Sequence, residues 1–275
     1  HMPPMVYCKM ENIISPTGAE AEGWLISVGG TPKEMLSRSP EFTYRRLLHA
    51  AKIAEKMGAQ IMGLGAFTKV VGDAGVTVAR RARIPITTGN SYSASGALWA
   101  AADAMKRMGL VGIDPKTRKV QAKTMVIGAT GSIGSVSARL LAMAFDQVVI
   151  AGRDLAKLEE LKKSMLKDSP DADIVCSTDY DSLLCDMDMI VTSTSGAGKK
   201  ILDITKVKPG CVITDVARPL DLPPEEVAKR PDVLVIESGE IELPTKVRGM
   251  KSIGLPNNVI YACLAETIVL ALEGR

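Results

Sequence analysis

The sequence of 275 residues is poor in aromatic residues, at 4%, and nearly without histidine. One of its two histidines belongs to the initial His1-Met2, which reads as a cloning remnant, so His49 alone is left for imidazole chemistry. A Ser-His-Asp or Cys-His triad, or a histidine-ligated metal, would have to be assembled around that one residue inside a helical stretch, so neither is expected. The five cysteines, Cys8, Cys176, Cys185, Cys211 and Cys263, are odd in number and never spaced C-x-x-C. That pattern argues against a zinc cage and for reduced thiols in a cytoplasmic protein. No apolar run reaches membrane-spanning length, and no signal peptide is expected. No basic block occurs along the sequence: 34 basic and 31 acidic residues are mixed along the chain, so nucleic acid is not an expected partner.

What is present is an ordinary globular composition, 46% hydrophobic and 24% charged, with an unusual 14 methionines. Methionine fills irregular core gaps or makes an adaptable apolar binding surface, and core filling is the commoner use. The length suits one large or two moderate domains.

The stretch Lys123 to Asp154, KTMVIGATGSIGSVSARLLAMAFDQVVIAGRD, organises the rest. Thr124 to Ile127 is a short apolar run with β-branched members, as in a strand buried on both faces. Gly128, Gly131 and Gly134 follow, then a proline-free helical segment from Ile133 to Phe145 and a second strand from Gln147 to Ala151. The first glycine turns the chain, the second lets backbone approach a pyrophosphate, and the third lets helix and strand pack closely. The spacing is G-x-x-G-x-x-G rather than the standard G-x-G-x-x-G, so the strand, helix and second strand around it carry the assignment. The turn and helix start, Gly128, Thr130, Gly131, Ser132, Ile133 and Gly134, are the cofactor-binding candidates. After the second strand comes Gly152-Arg153-Asp154, where an acidic residue would take a ribose 2′-hydroxyl and an arginine a 2′-phosphate. Because Arg153 comes first, NADPH is the expected cofactor.

The alternation of elements predicts an α/β protein in three parts. Residues 1–110 form an α/β substrate domain, 111–256 a Rossmann-type doubly wound parallel sheet, and 257–275 a last helix returning to the domain interface. In the first part, helices are predicted over Glu41 to Met57, over Val70 to Arg83 with interruption by glycine, and over Ser91 to Met108. In the second, the polar loop Ser193-Thr194-Ser195-Gly196 follows a strand end, where open α/β sheets bind ligands, so Ser193 and Thr194 join the cofactor candidates. The last helix is predicted over Asn258 to Leu272 and is apolar nearly all round, hence buried. Cys263 and Glu266 share a face of it.

Three segments, GLGAFTKVV from Gly63, ITTGNSYSA from Ile86 and IYACLAETIVLALEG from Ile260, resemble the cyanobacterial fatty aldehyde-forming acyl-ACP reductase family, as does the GATGSIG turn. The resemblance runs from about Pro4 to the end, and since family members usually carry additional N-terminal sequence, a shortened form or a shorter relative is expected. It implies that Cys263 takes the acyl group from a carrier thioester, on acyl carrier protein or CoA, and that NADPH reduces the enzyme-bound thioester to an aldehyde. The residues alone make Cys263 a packing cysteine in an apolar helix. Thr87-Thr88-Gly89-Asn90-Ser91 offers N–H groups, hydroxyls and an amide between strand and helix, with Asn90 the candidate for the carbonyl oxygen and a helix cap the alternative. Glu266 is either structural or a proton relay when protonated. Lys69 departs from the family pattern, where a serine is expected, and shikimate and quinate dehydrogenases carry a catalytic lysine in a comparable region. The alternative is therefore a polyol or amino-acid dehydrogenase using Lys69, and a further one is a cofactor-binding regulatory protein without turnover.

Overall fold

The computed structural model describes residues 2–65, 68, 71–195 and 200–274. The chain forms two compact units, residues 1–92 with 240–275 and residues 93–239.

The first unit opens with an antiparallel hairpin of β1 (Met5–Ile14) and β2 (Glu20–Ser27), followed by the short α1 (Pro32–Ser37). Helix α2 (Pro40–Lys56) starts with proline at its first position, buries Tyr44, Leu47, Ala50, Ala51 and Ala54, and stops at Gly58, whose φ of +94° suits only glycine. Strand β3 (Met62–Gly63) pairs in parallel with β4 (Ile86–Thr87). Between them the helix predicted from Val70 is cut to α3 (Val76–Arg81). Gly72, Ala74 and Gly75 all have positive φ, which holds the chain out of the helix until Asp73 accepts from the Thr77 N–H and hydroxyl. Helix α4 (Asn90–Arg107) then begins, and the division between the two units falls within it.

The second unit carries a six-stranded parallel sheet of β5 (Val120–Ile127), β6 (Phe145–Ala151), β7 (Asp173–Ser177), β8 (Met189–Thr192), β9 (Val212–Asp215) and β10 (Leu234–Glu237). Helices α5 (Ser132–Ala144), α6 (Leu155–Asp168) and the short α7 (Pro224–Val227) connect them. The spatial order β10-β9-β8-β5-β6-β7 is the doubly wound order 6-5-4-1-2-3 when β5 is counted first, so this is a Rossmann-like sheet. Alternate residues of the central strands feed separate cores. Val126, Val148 and Ile150 join Met189 and Val191 on one face, while Met125, Ile127 and Val149 join Ile190 and Ile213 on the other. Five methionines, Met105, Met125, Met165, Met187 and Met189, are buried in these layers, as core filling predicts. Each fully buried apolar side chain of this size contributes about 1.5–3 kcal/mol.

The chain then returns to the first unit with the antiparallel pair β11 (Glu240–Glu242) and β12 (Val259–Tyr261). The helix predicted from Asn258 begins later, as α8 (Ala262–Leu272). Asn258 adopts φ of +66° and ties the preceding loop together: its amide donates to the Leu243 carbonyl at 2.7 Å and its Oδ1 accepts from the Val247 N–H. Helix α8 packs with β2, β3, β11 and β12, its Ile268 lying among Cys8, Met10, Ile13, Leu243 and Ile260. Among the described residues no helix is long and apolar enough to cross a membrane.

Candidate functional site

The glycine turn lies at the carboxyl end of β5, beside β8, where the order of strands reverses. Gly128 has φ of +83°, and a Cβ on it would lie 2.8 Å from the Ser193 carbonyl oxygen. A Cβ on Gly131 would sit 3.2 Å from the Gly128 carbonyl oxygen, and one on Gly134 would overlap that same carbonyl and lie 2.7 Å from Ser193 Oγ. Gly128 and Gly134 therefore exclude side chains for steric reasons, while Gly131 leaves only a tight fit, and the three stand where the motif places its glycines. Gly131 is the N-cap of α5 and supplies no capping side chain, so the first N–H groups of α5 are left for an incoming anion. Thr130, Gly131 and Ser132 are exposed there, and Ile133 is half-buried. This cradle, which any side chain would fill, fits a dinucleotide pyrophosphate.

Arg153 follows β6 and is exposed, with no ion-pair partner among the described residues. Asp154 is occupied otherwise, capping α6 through the Lys157 N–H at 3.2 Å. Across the turn, the Ser193 N–H bonds the Ile127 carbonyl at 3.0 Å, and its hydroxyl faces the Ile127 and Gly128 carbonyls. Thr194 is held by buried Asp221, which accepts from its N–H at 2.8 Å and its hydroxyl at 2.5 Å. Buried Asp215 in turn accepts from the N–H groups of Ala217 and Leu222, and burial pushes its carboxyl above the usual range. These two aspartates, which organise the loops at the strand ends, carry no sequence signal of their own. Gly196 lies outside the described residues.

The first unit gathers a different group. Cys263 is the second residue of α8, half-buried, in a turn whose backbone N–H groups point out of the helix. The Thr87–Asn90 turn presses on it: a Cβ on Gly89 would lie 2.5 Å from the Cys263 carbonyl oxygen and closer still to its Cα and Cβ. Glu266, one turn further along α8, accepts from the Thr87 hydroxyl through Oε1 and from the Tyr92 N–H at 2.7 Å through Oε2. It thereby caps α4 from another helix and locks the turn to α8. Asn90 is the first residue of α4, and its Oδ1 is buried without a hydrogen-bond partner. Lys69 lies outside the described residues.

Cys263 also lines a cleft of about 730 Å³ within this unit. The walls are largely apolar, including Trp24, Met35, Met57, Leu264 and Ile268, with Thr267 Oγ1 buried and unpartnered among them. Gly63 is where α8 comes closest to β3, since a Cβ there would overlap Thr267. Gly63 does not stand out as a site residue by sequence, and Thr87 does so only as one member of the Thr87–Ser91 group. The GLG and TTGN motifs are the only hint of close backbone approach.

The sheet order, the glycine turn and the open helix start define the second unit as an NAD(P)-binding domain of the dehydrogenase type. Residues 115–242 match the family profile described as shikimate / quinate 5-dehydrogenase. The chain is 30% identical over 271 residues to the aminotransferase PigE of Serratia sp., a match that takes in 98% of this chain and 31% of that protein. It is 24% identical over 285 residues to the long-chain acyl-[acyl-carrier-protein] reductase of Synechococcus elongatus, covering 99% of this chain and 79% of that one. The quinate dehydrogenase from Corynebacterium glutamicum in complex with NAD aligns at a TM-score of 0.40 with 14% identity, over 54% of this chain and 51% of that chain.

Proposed function

We propose that the protein is an NADPH-dependent oxidoreductase that reduces a fatty acyl thioester, carried on acyl carrier protein or CoA, to an aldehyde through an acyl group held on Cys263. The observation that carries this reading is the place of Cys263, in the first turn of a helix, against the Thr87–Asn90 turn and on the wall of a large apolar cleft. The likeness to the acyl-[acyl-carrier-protein] reductase along nearly the whole chain supports it.

The Cys263 sulfur attacks the thioester carbonyl, forming a new thioester and releasing the carrier thiol with its proton. The exchange is close to isoenergetic, so the thiol needs only position and a place for the negative charge that develops. The first-turn N–H groups of α8, with those of the Thr87–Asn90 turn, are the donors at hand. Asn90, whose amide oxygen and nitrogen exchange places on a flip, offers a donor to the carbonyl oxygen. The apolar cleft takes the chain and keeps water from hydrolysing the intermediate. Gly128, Gly131, Gly134, Ser193, Thr194 and Arg153 would hold the dinucleotide, and the chemistry it would supply when bound is hydride donation to a thioester carbon. Expulsion of the Cys263 thiolate then frees the aldehyde, and each turnover consumes one NADPH and one proton. Glu266 holds the turn in place through the Thr87 hydroxyl and the Tyr92 N–H.

Incubation with a long-chain acyl thioester without NADPH should raise the intact mass by one acyl group, mapped to Cys263, and NADPH should then discharge it as aldehyde. Cys263→Ser should abolish both while leaving NADPH binding intact. Acylation elsewhere, or aldehyde formation by Cys263→Ser, refutes the mechanism. A second reading, a dehydrogenase acting on a hydroxyl- or amine-bearing carbon through Lys69, draws on the match of residues 115–242 to the shikimate / quinate 5-dehydrogenase profile. It requires Lys69→Ala to remove activity toward such a substrate while Cys263→Ala does not.

A further inference from the structure

The modest net charge of +3 hides an uneven distribution. The first unit holds 15 Lys and Arg against 11 Asp and Glu, and the second holds 19 against 20. The excess in the first unit gathers on α2 and α3. Arg45, His49, Lys52 and Lys56 recur at intervals of four, three and four residues along α2, so they form one stripe, and all four are exposed. The opposite face of α2 is the one that packs inward through Leu47, Ala50 and Ala54. Across a groove of about 570 Å³ floored by Leu48, Ala51 and Ala82 lie the exposed Arg81 and Arg83, at and beyond the end of α3, and the exposed Arg80 precedes them on that helix.

Little neutralises this surface. Arg81 is paired with Glu41 at 2.9 Å, and Glu55 is the one carboxylate lining the groove. Arg45, Lys52, Lys56, Arg80 and Arg83 have no ion-pair partner among the described residues. Unpaired like charges so close together repel one another and cost folding free energy, which a partner of opposite charge recovers.

We propose that this face of α2 and α3 is a docking surface for an acidic carrier protein delivering the acyl thioester, engaged through a helix-sized row of carboxylates. The proposal rests on the thioester reading above and names the carrier that the reading leaves open. Size favours a protein over CoA: the stripe from Arg45 to Lys56 runs about 16 Å along the helix and continues onto α3, too long for one cluster of phosphates. The stripe ends at Lys56, directly before Met57, Gly58, Ala59 and Gln60, which line the apolar cleft shared with Cys263. A carrier seated on the stripe therefore sits next to one edge of the cleft its acyl chain would enter.

The test compares one acyl chain on holo-acyl carrier protein and on CoA, using the wild type, Lys52→Glu/Lys56→Glu, Arg80→Glu/Arg83→Glu and the rescue Lys52→Arg/Lys56→Arg. For the carrier-bound substrate, kcat/KM should fall by about tenfold or more in each charge reversal, through KM, and the rescue should restore it. With acyl-CoA it should change less than about twofold, and only the carrier-bound reaction should weaken steeply between low and high salt. Equal losses on both substrates, or no loss on either, overturn the docking surface. Direct titration of the wild type and variants with acyl carrier protein separates the two levels of argument. If the wild type turns over neither thioester, the function fails; unchanged carrier affinity in the charge reversals overturns the docking surface whatever the activity.

Discussion

The junction between Gly89 and Cys263 predicts a specific cost for a single methyl group. Gly89 sits at φ of +72°, and its α-hydrogen faces the backbone of Cys263 with no room for a Cβ. Gly89→Ala therefore suffers two penalties. The left-handed conformation costs an L-residue about 1–2 kcal/mol. Overlap adds about 1–3 kcal/mol, toward the upper end here because the obstacle is helix backbone rather than the tip of a flexible side chain. Gly58→Ala isolates the first penalty: Gly58 has φ of +94° at the end of α2, and nothing lies within 4 Å of a Cβ placed on it. The lowered entropy of the unfolded chain is common to both variants and cancels in the comparison. Gly89→Ala should thus be less stable than Gly58→Ala by about 1–3 kcal/mol. Urea unfolding followed by Trp24 fluorescence in a Trp99→Phe background reads the first unit, since Trp24 lies in β2 and Trp99 belongs to the second unit. Acylation of Cys263 should slow in the same variant, because either the turn or the first turn of α8 has to move. If Gly89→Ala falls within about 0.5 kcal/mol of Gly58→Ala, the packing of the turn against the cysteine, and the site built on it, is wrong.

Under the proposed NADPH assignment, Arg153→Ala should weaken NADPH more than NADH, since only NADPH carries a 2′-phosphate for a guanidinium to meet; equal loss for the two cofactors, read by fluorescence titration, would contradict the assignment. Burial pushes the Cys211 thiol up to about 12 from its ordinary 9.0, so between those values the native state keeps a proton that the unfolded state releases, and stability falls as pH rises. The slope of unfolding free energy against pH above 9 should therefore be shallower in Cys211→Ala than in the wild type, by up to about 1.4 kcal/mol per pH unit, and parallel slopes would refute it.

The parts legible in the sequence are those whose cause is local. The GATGSIG turn needs only its own three glycines and the strand and helix on either side, and its nearest clash partners, the Gly128 and Ser193 carbonyls, belong to the same Rossmann half and the strand beside it. The order of six parallel strands follows from the alternation of short apolar runs and helices, because right-handed crossovers leave few other arrangements. Where a glycine or asparagine overrode an apolar pattern, the reading failed. Positive φ at Gly72, Ala74 and Gly75 delays α3 to Val76, and positive φ at Asn258 makes a strand of the residues expected to begin α8.

Around Cys263 the relevant causes are distant in the chain. Glu266 reads from sequence as either a structural carboxylate or a proton relay, and nothing nearby decides between them. Its partners, the Thr87 hydroxyl and the Tyr92 N–H, are 179 and 174 positions away. Gly89 and Gly63 pose the same problem, since a glycine in a turn or in a short strand does not by itself announce a tight contact on its open side. Here the open side of each glycine is filled by α8, at Cys263 and at Thr267. Both glycines are therefore contact residues of the last helix, Gly89 from a turn and Gly63 from β3. A cysteine that composition assigns to packing is thereby held in one place, with its backbone gripped by Gly89, its helix tied down by Glu266, and one side open to an apolar cleft. Packing alone asks nothing more of a sulfur than burial; a nucleophile needs its backbone immobilised while a path to solvent or substrate stays open, and that combination is the one found at Cys263.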